Sequence, residues 1–189
     1  MKKNKTSKNW LSKQKRDIYV RRSKLEGYRS RAIYKLKEID DKFNIIQNGI
    51  NIVDLGSAPG SWSQYLSKKS RNSKILSIDL KDIKKINNIH HLVGDFLNEK
   101  NQSIIKKFFK DKLDLVVSDM AVNTTGNKNL DSISTGELSI NAMNFSINNL
   151  KKNGCFVTKI FMGSTFNEIV ENGKKNFKEV KIFKPPSSR

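Results

Sequence analysis

NIVDLGSAPGSWSQY, residues 51–65, is the stretch around which the rest of the chain can be read. Ile50, Ile52, Val53 and Leu55 form a short, largely β-branched apolar run that predicts a buried strand, with Asp54 set into it just before Gly56. Ser57, Ala58, Pro59 and Gly60 predict a tight turn of small residues, where glycine lets the backbone approach a ligand closely. Trp62, Tyr65 and Leu66 then fall at i, i+3 and i+4, the spacing of one helical face. Strand, glycine turn and helix start together make a ligand cradle, because free backbone N–H groups and the positive end of a helix dipole point at whatever occupies it. Gly56, Ser57 and Gly60 supply its backbone, and Asp54 adds an acceptor for an amine or a hydroxyl.

What the turn lacks narrows the ligand. There is no Gly-Lys-Ser/Thr to hold a triphosphate. Gly56 and Gly60 are four apart rather than in the G-x-G-x-x-G order, which suits a dinucleotide pyrophosphate poorly. A cofactor with an amino-acid end and an adenosine end fits better.

Outward from the cradle the sequence predicts alternating strands and helices, hence a mostly parallel α/β sheet. Lys74 to Asp79 reads as a second strand, and Asp79 falls nineteen residues beyond Gly60, where an acid reaches ribose hydroxyls in nucleotide-binding folds. Leu92 and Val93 predict a short third strand closed by Gly94, Asp95 and Phe96. Three strands ending in acids place Asp54, Asp79 and Asp95 along one sheet edge, a shared ligand site. Leu113 to Asp119 is a fourth strand, followed by an Asn-, Thr- and Gly-rich loop over 122–131, long enough to act as a substrate lid. Ser134 to Leu150 has helical period, Lys151 to Gly154 reads as a turn, and Cys155 to Phe161 is a fifth strand. Lys159 is its anomaly: an ammonium within an apolar strand is costly unless paired or neutral, and burial against a carboxylate can poise it for proton transfer. Phe166 to Phe177 predicts a further helix and Val180 to Phe183 a sixth strand.

The 189 residues fit one domain with no internal repeat. Their net charge of +19 points to a polyanionic partner. The first 40 residues hold 14 Lys/Arg against 4 Asp/Glu, so the basic charge is concentrated ahead of the cradle. Residues 1–8 predict a disordered tail, and residues 10–24 a basic, irregularly amphipathic segment broken at Gly27. Ser30 can cap a following helix whose apolar face runs through Ala32, Ile33, Leu36, Ile39 and Phe43, with Lys35 on its margin. Cys155 is the single cysteine, which excludes an intrachain disulfide and fits a reducing, intracellular compartment, the cytoplasm first and an organelle second. No apolar run reaches a membrane span, the basic N-terminus lacks a secretory core, and His90 and His91 stand without a partner set for a metal.

Six motifs in this order resemble the FtsJ/RrmJ family of S-adenosylmethionine-dependent RNA ribose 2′-O-methyltransferases: GYRSRAIYKL (27–36), VDLGSAPGSWSQY (53–65), VGDF (93–96), SDMAVNTTG (118–126), FVTKIF (156–161) and KPPSSR (184–189). The resemblance implies a Rossmann-like class I methyltransferase fold, with helices on both faces of the sheet and its seventh strand beyond Arg189. It divides the chain into a basic RNA-binding extension over 1–40 and a methyltransferase domain over 41–189. It implies S-adenosyl-L-methionine as cofactor, with Gly60, Trp62, Asp79, Asp95 and Asp119 in the cofactor region and Phe96 beside them. It also implies a Lys-Asp-Lys-Glu catalytic tetrad, whose first three members fall on Lys35, Asp119 and Lys159 and whose glutamate would lie beyond the last residue. Val122 stands where the family usually has proline.

In this reading Lys159, held by Asp119, takes the proton of a ribose 2′-hydroxyl while Lys35 orients the substrate. Lys13, Lys15, Arg16, Arg21, Arg22, Lys24, Arg29 and Arg31 would grip RNA phosphates, with Tyr19 and Tyr28 free either to stack on bases or to pack in the core. The short chain, the Trp10-Leu11 pair of the arm and the Ser-Asp-Met-Ala wording resemble most the branch acting on large-subunit ribosomal RNA, free or in the assembled subunit, ahead of a tRNA anticodon loop; a monomer is expected. A silent RNA-binding assembly factor and a small-molecule methyltransferase are the rival readings.

Overall fold

The computed structural model describes residues 16–122 and 126–188. The tail over 1–8, Trp10, Lys13 and Lys15 of the arm, and the middle of the 122–131 loop lie outside the described residues. Five strands form one sheet: β1 (Asn51–Leu55), β2 (Lys74–Asp79), β3 (Ile89–Val93), β4 (Leu113–Ser118) and β5 (Leu150–Thr158). Their order is β3-β2-β1-β4-β5 and every pairing is parallel. Among the described residues the helices are α1 (Ile18–Leu25), α2 (Ile33–Phe43), α3 (Ser61–Lys69), α4 (Glu99–Phe109), α5 (Lys128–Asn149) and α6 (Phe166–Asn176).

Strand alternation divides the core in two. Ile52, Ile75, Leu115 and Val117 face Ile33, Leu36, Trp62 and Leu66 of α2 and α3. Val53, Leu76, Ile78 and Val116 face Ile105 and Phe109 of α4 and Ala142 and Phe145 of α5 on the opposite side. Both faces are therefore covered, as a parallel sheet requires. The strand order reverses between β1 and β4, and in open α/β sheets the crevice at the carboxyl ends of such neighbours is where ligands bind.

The arm joins this core. Asp17 caps α1 by accepting from the N–H of Tyr19 (2.9 Å) and of Val20 (3.3 Å), and it pairs with Arg31. Tyr19 and Tyr28 pack against Tyr34, with ring centroids 5.3 and 6.4 Å from it, so both belong to the packing rather than to a free stacking surface. Ser30 makes the turn before α2 instead of capping it: its hydroxyl accepts from the Ala32 N–H and lies 2.7 Å from that of Ser61.

Several expected elements differ. No strand forms over Val180 to Phe183. Phe183 instead meets Phe43 of α2 edge-on, at 5.6 Å, with the Lys42 ammonium 4.3 Å from its ring, and no neighbouring strand among the described residues offers it a ladder. The expected turn over Lys151 to Gly154 is part of β5, which enters the sheet at Leu150 through a register irregularity opposite Leu113 and Leu115. β5, the outermost strand on its side among the described residues, ends at Thr158, so Lys159 stands just past the strand's end rather than within it. The third strand is longer than two residues because Ile89 to Val93 all pair with β2.

The C-terminal motif is also held. Ser187 is buried. Its N–H and hydroxyl both donate to Glu38 of α2, at 2.9 and 2.7 Å, while Arg31 donates to its carbonyl.

Candidate active site

The cradle lies at the carboxyl end of β1. Gly56 leaves the strand at φ +73°, donating to the Ile78 carbonyl at 2.9 Å, and the turn closes where Gly60, at φ +97°, starts α3 with no side chain capping that helix. Asp79, at the end of β2, accepts from the Ala58 N–H (2.9 Å) and the Lys81 N–H (2.9 Å), so it fixes the turn as well as bordering it. A Cβ added at Gly56 would lie 2.5 Å from Met120 Cγ, 2.9 Å from Met120 Cα and 3.0 Å from its nitrogen. Two of those atoms are backbone and cannot swing aside. Gly56→Ala combines this clash with a left-handed backbone, and we expect it to lower unfolding stability by about 3 kcal/mol, read by urea denaturation; an unchanged midpoint would show that the 119–120 segment yields.

Two polar atoms in the cradle are buried without a hydrogen-bond partner among the described residues: Asp54 Oδ1 and Ser57 Oγ. The other Asp54 oxygen accepts from the Ser63 hydroxyl at 2.6 Å. Orphaned buried acceptors and hydroxyls are costly, and they mark a place where a ligand's polar groups complete the set. Burial pushes the Asp54 carboxyl up to about 7. The Ser63 bond opposes that rise, and the charges of Asp119 and Asp79 add to it.

Beside the cradle stands a charged cluster drawn from three distant segments. Asp119 follows β4, its N–H donating to the Leu55 carbonyl of β1 at 3.3 Å. Lys35 of α2 donates to both Asp119 oxygens, at 3.2 and 3.3 Å. The Lys159 ammonium lies 3.0 Å from Asp119 Oδ1 and donates to the Asp119 carbonyl at 2.8 Å. Side-chain exposures of 27% for Lys35, 17% for Asp119 and 19% for Lys159 leave the cluster mostly buried but not sealed from solvent. Burial and the neighbouring Lys35 charge lower the Lys159 pKa below the ordinary lysine range, while Asp119 works against them; burial is the largest effect.

The remaining expected residues distribute as follows. Trp62 is buried at the start of α3 and lines a small cleft with Ala32, Ser57 and Asp119, its indole N–H donating to the Ala32 carbonyl at 2.8 Å. Asp95 is exposed after β3, accepting from the Leu97 N–H at 2.9 Å. Phe96 is buried against Phe145, 5.4 Å between centroids. Of the arm cations, Arg29 and Arg31 turn inward to protein acceptors and Arg22 pairs with Glu26, which leaves Arg16, Arg21 and Lys24 exposed on the described part of the arm. Ser63 and Glu38 were not among the expected residues. Ser63 could have been found from its helical placement one turn past the glycine turn; Glu38 carries no sequence signal, because its partner is 149 positions away.

A parallel sheet with its crevice at the β1/β4 reversal, a glycine-turn cradle there and a lysine-aspartate-lysine cluster alongside define a Rossmann-like methyltransferase fold. The chain belongs to the FtsJ-like methyltransferase family, whose model matches residues 28–189. It is 60% identical over its full length to the ribosomal RNA large subunit methyltransferase E of Pelagibacter ubique, spanning 93% of that protein. It is 46% identical over 97% of its length to the protein of the same name from Rickettsia akari, of which it spans 84%. A solved Plasmodium falciparum structure described as a ribosomal RNA methyltransferase superposes with a TM-score of 0.78 at 31% identity, over 85% of this chain and 93% of that one. Among the described residues no helix is long and apolar enough to cross a membrane.

Proposed function

We propose that this chain transfers a methyl group from S-adenosyl-L-methionine to a ribose 2′-hydroxyl of large-subunit ribosomal RNA, in a reducing intracellular compartment. The observation that carries this reading is the Lys35–Asp119–Lys159 cluster beside a cradle whose buried Asp54 and Ser57 atoms await partners. The names of the relatives direct it to ribosomal RNA, ahead of tRNA or a small molecule.

The residues fit the cofactor. The backbone of Gly56 to Gly60 with Asp54 and Ser57 would hold it on one side, and Asp79, Asp95, Trp62, Phe96 and Asp119 would border it. When bound, it supplies a methyl group on a positively charged sulfur, a leaving group that needs no acid assistance. The chain's task is then to align the acceptor oxygen and remove its proton. Lys159, kept below the ordinary lysine range, takes that proton at Nζ. Asp119 fixes Nζ through a carboxylate oxygen and a carbonyl, and it stabilises the ammonium that forms. Lys35, which shares the Asp119 carboxylate, orients the ribose or its phosphate. Arg16, Arg21 and Lys24 contact RNA phosphates farther out.

The test is transfer of a labelled methyl group to ribosomal RNA, followed by alkaline hydrolysis. A methylated 2′-oxygen cannot attack its phosphodiester, so the label is expected in alkali-resistant dinucleotides from the large-subunit RNA. Label in a base, label confined to tRNA, or no transfer would overturn the reading.

A further inference from the structure

Arg29 occupies a place that its membership of a basic arm does not explain. Its Nη1 donates to the Pro59 carbonyl of the cradle turn at 3.0 Å, and its Nη2 donates to the carbonyls of Lys84 (2.7 Å) and Lys85 (3.2 Å) in the loop after β2. Its backbone N–H donates to the Gln64 side chain of α3, and Gln64 returns a bond to the Gly27 carbonyl. A Cβ at Gly60 would fall 2.5 Å from Arg29 Nη1 and 3.2 Å from the terminal carbons of both Ile83 and Ile86, so guanidinium and loop close over that glycine together. Among the described residues the other side chain that hydrogen-bonds across this seam is Asp79, through the Ala58 and Lys81 N–H groups. A planar fork with donors spread over two nitrogens spans two loops in this way better than the compact ammonium of a lysine.

We propose that Arg29 is a positioning residue for the cofactor crevice: it holds the 81–86 loop against the 57–60 turn, so that this wall stands before a ligand arrives, and it is not one of the phosphate-gripping cations. The inference rests on the cofactor reading above. Its physical basis is preorganisation, since a wall that must be ordered on binding subtracts that ordering from the affinity. It also changes the accounting of the arm, because a guanidinium engaged by three carbonyls is not offered to RNA.

The experiment titrates wild type, Arg29→Ala and Arg29→Lys with S-adenosylhomocysteine by calorimetry in the absence of RNA. It also measures the salt dependence of binding to a short mixed-sequence RNA oligonucleotide. Arg29→Ala is expected to weaken S-adenosylhomocysteine binding about tenfold or more, Arg29→Lys to fall between it and wild type, and the salt slope to stay unchanged. Wild-type affinity for S-adenosylhomocysteine in Arg29→Ala, or a salt slope shallower by about 0.7, the value of one lost phosphate contact to a single strand, would overturn the proposal. Should the alanine variant not fold, hydrogen exchange in Arg29→Lys decides. Faster exchange confined to residues 80–88 supports the clamp, and wild-type exchange there overturns it. Failure of the wild-type protein itself to bind S-adenosylhomocysteine would instead remove the cofactor reading, and this proposal with it.

Discussion

Lys159→Ala is expected to reduce turnover at saturating substrate by about a thousandfold or more while leaving S-adenosylhomocysteine affinity within about twofold of wild type. The asymmetry follows from where Lys159 points. Its ammonium is spent on the carboxylate and carbonyl of Asp119, and among the described residues it makes no hydrogen bond to the turn over 56–60. Removing it costs proton transfer but no backbone donor of the turn. Lys159→Arg separates two roles that alanine cannot: a guanidinium supplies charge but does not give up a proton at any working pH, so a base requires that arginine be as inactive as alanine. Wild-type turnover should also rise with pH through a value below that of an ordinary lysine, and the alanine variant should lose that rise. Normal turnover in Lys159→Ala would remove Lys159 from the chemistry.

Asp54→Asn should change how stability depends on pH. In the unfolded chain this carboxyl ionises near 3.8, whereas in the folded protein burial pushes it up to about 7. Below about pH 4 it is neutral in both states and contributes no difference. Between about 4 and 7 the unfolded chain releases the proton and the folded protein keeps it, so the folded state loses ground as pH rises; above about 7 the loss is complete. Converted at 1.36 kcal/mol per pH unit, this amounts to about 4 kcal/mol. Asparagine keeps the carbonyl oxygen that accepts from Ser63 and has no charge to release. Urea unfolding of the two proteins from pH 4 to 8 is therefore expected to show the difference, variant minus wild type, climbing by that amount between pH 4 and 7 and then levelling. A flat difference would place the Asp54 carboxyl near its ordinary value. Saturating S-adenosylhomocysteine should diminish the climb if a ligand amine completes the unpartnered oxygen.

The elements legible in the sequence are those whose signal is local. β1, its turn and α3 follow from an apolar run, two glycines and a helical repeat within fifteen residues. The ends of β2 and β4 follow likewise, because an aspartate closing an apolar run marks where the chain leaves the sheet. The cluster needed more. Lys159 is conspicuous because of its apolar neighbours, but Lys35 lies on a helix margin where lysine is ordinary, and only resemblance to a family joins it to Asp119. What was not legible is what distant partners decide. Val180 to Phe183 has strand composition, yet Phe183 is drawn to Phe43 and Lys42. Lys151 to Gly154 has turn composition, yet its backbone is carried into β5 by the sheet beside it. Arg29 and Arg31 read as surface cations because nothing near them in sequence reveals the carbonyls they bind.

The clasp of Ser187 on Glu38 has a consequence for the order of events during synthesis. The helix that presents Lys35 leaves the ribosome well ahead of Ser187, and its clasp cannot close until that residue, 149 positions after Glu38, has followed. The five strands and the cradle are all made before then. A nascent chain can thus own its ligand turn and its sheet while the Lys35 helix still lacks one of its anchors. A chain proposed to act on ribosomal RNA would thus form its cradle and sheet before the helix of its proposed catalytic lysine gains this anchor.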